Sequence, residues 1–134
     1  MIDSVDLLKK LQIKAGARLW LINVPREIAE ALTAGAEVEL TKAGEPCSGV
    51  LAFARSPAEA DKFGQQALAA LDQDGLLWMA YRKGKAAQAS GLSRDAGWMA
   101  LEQAGWRAIR SVSIDEEWTG LRFRPAALVR PRSS

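Results

Sequence analysis

Residues 18–24, RLWLINV, are apolar at nearly every position. A run of this kind, without polar alternation, marks a strand covered on both faces, as in parallel sheets. It passes straight into PREIAEAL, where Pro25 can open a helix because a first-turn residue needs no amide hydrogen. Ile28, Ala31 and Leu32 then fall on one side of that helix before Gly35 stops it. A buried strand feeding a helix needs crossover connections, and so an α/β fold. The same junction is where a dinucleotide-binding sheet carries its G-x-G-x-x-G turn. Here it reads Asn23-Val24-Pro25, without glycine.

The alternation continues along the chain. Asp3 or Ser4 can cap a short helix within residues 1–16, with Val5, Leu8 and Leu11 on one face and Gly16 as its stop, expected at the sheet's edge. AEVELT, 36–41, reads as a second strand, the cysteine-bearing KAGEPCSG as a turn, and VLAFAR, 50–55, as a third strand. Ser56, Pro57 and Glu59 form an S-x-x-E capping box, opening a helix with Ala60, Phe63, Ala67, Leu68 and Leu71 at helical spacing. The DQDG turn at 72–75 precedes LLWMAY, 76–81, and a glycine-punctuated loop leads to a helix from about Ser93 to Gln103. RAIRSVSI, 107–114, alternates as a half-buried strand, and LRFR, 121–124, is the last. DEEWTG between them is too short for a crossover helix, so these two strands are expected to be antiparallel neighbours. The expectation is a three-layer, open, Rossmann-like sheet of about six strands, mostly parallel, closed by an antiparallel C-terminal hairpin. One domain is expected over 1–134, with residues 126–134 as a basic tail that frays.

Composition narrows the function. Eighteen basic and sixteen acidic residues give a net charge of +2, which carries no specific nucleic-acid signal and no membrane signal. No window approaches the apolar length of a signal peptide or a membrane span, so a cytoplasmic protein is expected. The chain has no histidine, which removes Ser-His-Asp and Cys-His nucleophiles and every histidine-containing metal site. Its single cysteine, Cys47, rules out an intrachain disulfide and reads as an unreactive thiol; no metal site is expected.

The strings VLAFARS, DGLLWMAYRKG, LSRDAGWMALEQAGWRAIRSVSID and WTGLRFRP resemble a family of short bacterial proteins catalogued as a domain of unknown function. The resemblance runs from LQIKAGARLWLIN to RFRP and implies no activity. More distantly, the layout is similar to the class I methyltransferase fold, in which a D-G-L-L-W-type strand precedes a helix and an antiparallel closing hairpin. Against that pattern, NVP replaces the glycine-rich first turn, and Glu39 would stand for the ribose-binding acid at the end of the second strand. One strand and helix are missing between the second and third strands.

In such a sheet, ligands bind beyond the carboxyl ends of the strands. The residues placed there are Asn23 to Arg26, Thr41 and Lys42, Arg55 and Ser56, and Arg82 to Lys85, joined by Arg94. One reading is a small anionic ligand held by Arg55, Arg82, Lys83, Lys85 and the helix starts near Ser56 and Ser93; the other is solvated charge at loop tips. Asp95 can cap its helix or act as a base beside Arg94, while Asp115, Glu116 and Glu117 read as a solvated turn. Trp20 and Trp78 read as core. Trp98 can stack a ligand and Trp118 can anchor a partner, or both can pack inside. The expectation is a non-catalytic Rossmann-like module that binds a small anionic ligand or a protein partner, with no cofactor, S-adenosylmethionine or a nucleotide being left open. The alternatives are a degenerate S-adenosylmethionine-dependent methyltransferase-like enzyme, and a structural protein or homodimer using Trp98 or Trp118.

Overall fold

The computed structural model describes residues 4–13, 16–34, 38–42, 45–84, 91–92 and 97–126, without the side chains of 4–6 and 72–74. The elements are α1 (Ser4–Lys10), β1 (Arg18–Ile22), α2 (Arg26–Ala34), β2 (Glu39–Leu40), β3 (Cys47–Phe53), α3 (Pro57–Ala70), β4 (Leu71–Arg82), α4 (Met99–Gln103), β5 (Trp106–Ser113) and β6 (Trp118–Pro125). Six strands form one sheet in the order β2-β1-β3-β4-β6-β5. The first four are parallel, and β6 is antiparallel to both β4 and β5, as the short DEEWTG connection requires. The chain moves outward from β1 to β2, then returns past β1 to β3, so the sheet's switch point lies between β1 and β3.

Helices cover both faces. Leu7 and Leu11 of the α1 segment join Ile28 and Leu32 of α2 over Phe53, Trp78 and Trp118. On the other face, Ala60 and Ala67 of α3 and Leu101 of α4 pack over Val50, Met79 and Phe123. The central strand β3 is buried from Gly49 to Phe53, as its unbroken apolar sequence demands.

Several boundaries differ from the sequence expectation. The α1 segment lies across the sheet rather than at its edge, because the Trp78 indole nitrogen donates to the Leu11 carbonyl oxygen at 2.9 Å and draws the end of the helix over β4. That rotation buries Leu7 and leaves Leu8 half-buried. Cys47 is not in a turn. It begins β3, 1% exposed, with its thiol donating to the Ala70 carbonyl at 3.7 Å. β4 starts directly after α3, at Leu71, and the residues 72–75 expected as a turn form an irregularity in its pairing with β3. β5 is exposed almost throughout rather than half-buried, because it is the sheet's edge. Asp3, Gly35, most of the loop after β4, the start of the helix expected at Ser93 and the tail beyond Ala126 lie outside the described residues. Among the described residues, no helix is long and apolar enough to cross a membrane.

Candidate functional site

β1 ends at Ile22, and Asn23 takes the left-handed conformation, with φ at 56°. That is the backbone glycine adopts most easily, and asparagine is among the few other residues that tolerate it. Asn23 Nδ2 donates to the Phe53 carbonyl oxygen at 3.0 Å, tying the ends of β1 and β3 together at the switch point. The Pro25 carbonyl then accepts from the Ile28 and Ala29 amides, starting α2. Proline itself offers no donor there.

Ser56 caps α3. Its hydroxyl accepts from the Glu59 amide at 3.2 Å, while Glu59 Oε1 accepts from the Arg55 amide at 2.7 Å. The Ala60 amide is taken by the Ser56 carbonyl, and Pro57 has no N–H. The capping box therefore uses most of the donors that had been expected to attract an anion near Ser56, and places a carboxylate beside them.

A cleft of about 1260 Å³ opens at the carboxyl edge, on the face covered by α1 and α2. Arg55 and Arg82 line it with Trp118, and its opposite walls are α2 and the turn joining β5 to β6. Arg82 lies over the Trp118 ring at 5.3 Å from its centroid, a cation–π contact that holds the guanidinium at the cleft floor. Both walls carry carboxylates: Glu27 and Glu30 from α2, Glu116 and Glu117 from the turn. Glu30 is already paired with Arg26 at 2.9 Å, one helical turn away. Asp115 shapes the turn, its Oδ1 accepting from the Glu117 and Trp118 amides at 2.8 Å each.

The expected basic group is thus divided. Arg55 and Arg82 share the cleft, whereas Lys83 does not line it and donates to the Ser113 hydroxyl at 2.5 Å on β5. Lys85, Arg94 and Asp95 lie outside the described residues. Of the two roles open to Trp98 and Trp118, a ligand or partner contact and packing inside, the structure shows packing inside. Trp98 is 2% exposed and packs edge-on against Tyr81 and Phe123, and Trp118 is 3% exposed with its ring 4.7 Å from that of Phe53. Their large apolar area is better removed from water than presented to it. The acids at 116 and 117 are exposed in a turn, as the sequence implies, and they also line the cleft. The sequence signal for the opposite wall was the face of α2 bearing Glu27 and Glu30, but nothing local joins it to a turn near residue 116.

No protein-family model matches the chain, and no curated protein matches it. Solved structures do. A S-adenosylmethionine-dependent methyltransferase from Aquifex aeolicus is similar at a TM-score of 0.59 and 13% identity, over 92% of this chain and 90% of that one. The N-methyltransferase NodS from Bradyrhizobium japonicum gives 0.56 and 12%, over 91% and 93%. Aeropyrum pernix fibrillarin, with natively bound S-adenosyl-L-methionine, gives 0.54 and 14%, over 90% and 74%. These neighbours overturn the expectation of no cofactor, since the folds similar to this one include a protein that holds S-adenosylmethionine. At such identities the likeness is one of fold. The chain has a class I methyltransferase-like, Rossmann-type α/β fold.

Proposed function

We propose that the chain binds S-adenosylmethionine, or a zwitterion of that class, in the carboxyl-edge cleft. The observation that carries this reading is the cleft's mixed charge: Lys10, Arg26, Arg55 and Arg82 line it together with the carboxylates of Glu27, Glu30, Asp115, Glu116 and Glu117. S-Adenosylmethionine carries a carboxylate that suits an arginine fork, and an ammonium and ribose hydroxyls that suit carboxylates. A simple anion would meet carboxylates as well as cations.

The turn after β1 fits the same choice. Without glycine, and with the amide of Asn23-Val24-Pro25 absent at proline, it offers a poor cradle for a pyrophosphate. S-Adenosylmethionine has no phosphate to cradle. When bound, it supplies an electrophilic methyl group on sulfur; Arg55, Arg82 and the carboxylates of the cleft bind and orient it. Fold neighbours that are described as using or holding this molecule support the reading.

Isothermal titration of the full chain with S-adenosylmethionine tests it. Saturable one-to-one binding is expected, weakened about tenfold by Arg82→Ala, a loss of about 1.4 kcal/mol. Binding that is absent in the parent protein, or unchanged in a folded Arg82→Ala variant, overturns the assignment.

A further inference from the structure

β4 and β6 meet on a last rung that pairs Arg82 with Trp118. Residues directly opposite each other on an antiparallel pair share one face of the sheet, so both side chains stand on the face that α1 and α2 cover, where the cleft opens. Trp118 is the fixed member. Its ring, 3% exposed, packs edge-on against Phe53 at 4.7 Å, its amide donates to Asp115 Oδ1 at 2.8 Å, and its carbonyl accepts from the Ile114 amide at 3.0 Å. Arg82 rests on this platform, with its guanidinium carbon 5.3 Å from the ring centroid.

Four cations line the cleft, and Arg82 differs from the other three. Lys10, Arg26 and Arg55 are exposed, whereas Arg82 is half-buried. Arg26 is paired with Glu30, Lys10 donates to the Ser113 carbonyl at 3.4 Å, and Arg55 has no ring beneath it among the described residues. Among the described residues, no acceptor is bonded to the Arg82 guanidinium, although Asp115, Glu116 and Glu117 line the same cleft. The indole face attracts the charge without satisfying the N–H donors, so these remain for an acceptor inside the cleft. Arg82 is a fork held in place before that acceptor arrives.

We infer that Trp118 is a positioning residue, and that it presets Arg82 to take the α-carboxylate at the amino-acid end of the ligand. The inference rests on the reading of the cleft as an S-adenosylmethionine site, and it assigns one end of that molecule to one residue. A carboxylate is the planar acceptor that matches a guanidinium fork, whereas the ammonium and sulfonium are cations that Arg82 repels. Selectivity follows. A ligand without the carboxylate leaves the Arg82 donors unmatched beside its own positive charge, so the cleft selects the amino-acid form. Trp118 acts through Arg82, because a side chain already held on the ring has less freedom to lose when the ligand binds.

The test is calorimetric titration of the full chain with S-adenosylmethionine and, separately, with decarboxylated S-adenosylmethionine. The parent should prefer the carboxylate-bearing ligand by about tenfold, and Arg82→Ala should abolish the preference, since analogue and variant each delete one half of the same contact. Trp118→Leu should weaken S-adenosylmethionine binding about fivefold and leave the analogue unchanged, as expected for one long side chain that is ordered only on binding. Arg82→Lys keeps the charge without the fork and should retain only part of the preference. If Trp118→Leu fails to fold, Trp118→Phe, which leaves a smaller ring under the guanidinium, should show the same asymmetry at lower amplitude. A loss of equal size for both ligands in the folded Trp118 variants would mark a structural role alone and overturn the inference. Equal binding of the two ligands by the parent also overturns it, while leaving the S-adenosylmethionine reading of the cleft in place. Absence of binding by the parent overturns both.

Discussion

Asn23 sits where a phosphate-binding turn would place glycine, and it does two jobs that separate cleanly by substitution. Its backbone holds φ at 56°, and its side-chain amide reaches the Phe53 carbonyl. Asn23→Gly keeps the backbone free and loses one hydrogen bond, whereas Asn23→Ala loses the bond and also forces a Cβ-bearing residue without a local polar group into the left-handed region, at about 1–2 kcal/mol. Urea unfolding should therefore rank the parent above Asn23→Gly and Asn23→Gly above Asn23→Ala; an alanine variant as stable as the glycine one would show that the left-handed turn is not maintained. The absence of glycine at this turn was plain in the sequence. That asparagine supplies the same backbone was not, since φ is set by the closure of β1 onto β3 rather than by the dipeptide itself.

At the level of elements, the start of α3 was legible because every determinant lies within five residues: the Ser56 hydroxyl accepts from the Glu59 amide as the S-x-x-E pattern predicts, Pro57 opens the first turn, and the Glu59 carboxylate reaches one residue further back than the pattern has it, to the Arg55 amide. Ser56→Ala should cost about 1 kcal/mol of unfolding free energy, read from the urea midpoint at unchanged m-value, because one amide at the helix start loses its acceptor. No measurable loss would mean that water replaces the hydroxyl. The α1 segment and β5 were less legible for a shared reason. Local periodicity does not say which neighbour an element meets: Leu7 is buried because Trp78, on another element, captures the Leu11 carbonyl, and the alternation of 107–114 gives no burial at the sheet's edge. The cleft is of the same kind, with Glu27 and Glu117 brought to facing walls by the sheet order alone.

On the scale of the whole molecule, the order β2-β1-β3-β4-β6-β5 puts the switch point, α2 and the closing turn at one edge of the sheet, so a ligand there touches elements that are distant along the chain. Such a ligand stabilises the folded state as a unit, by about 2.7 kcal/mol at a hundred times its dissociation constant. For a chain of 134 residues, with an unfolding entropy of about 2.1 cal/mol/K per residue, that amounts to a rise of roughly 10 °C in Tm. S-Adenosylmethionine at saturation should produce a rise of this size. A dinucleotide such as NAD should not, because Asn23-Val24-Pro25 lacks the close glycine approach and one of the amides that a pyrophosphate needs. Inorganic phosphate, as a bare anion in a cleft that carboxylates line as well as cations, should also leave Tm unmoved. A shift with phosphate alone would mean that the cleft's cations dominate its carboxylates, and would return the cleft to the simple-anion reading that those carboxylates argue against.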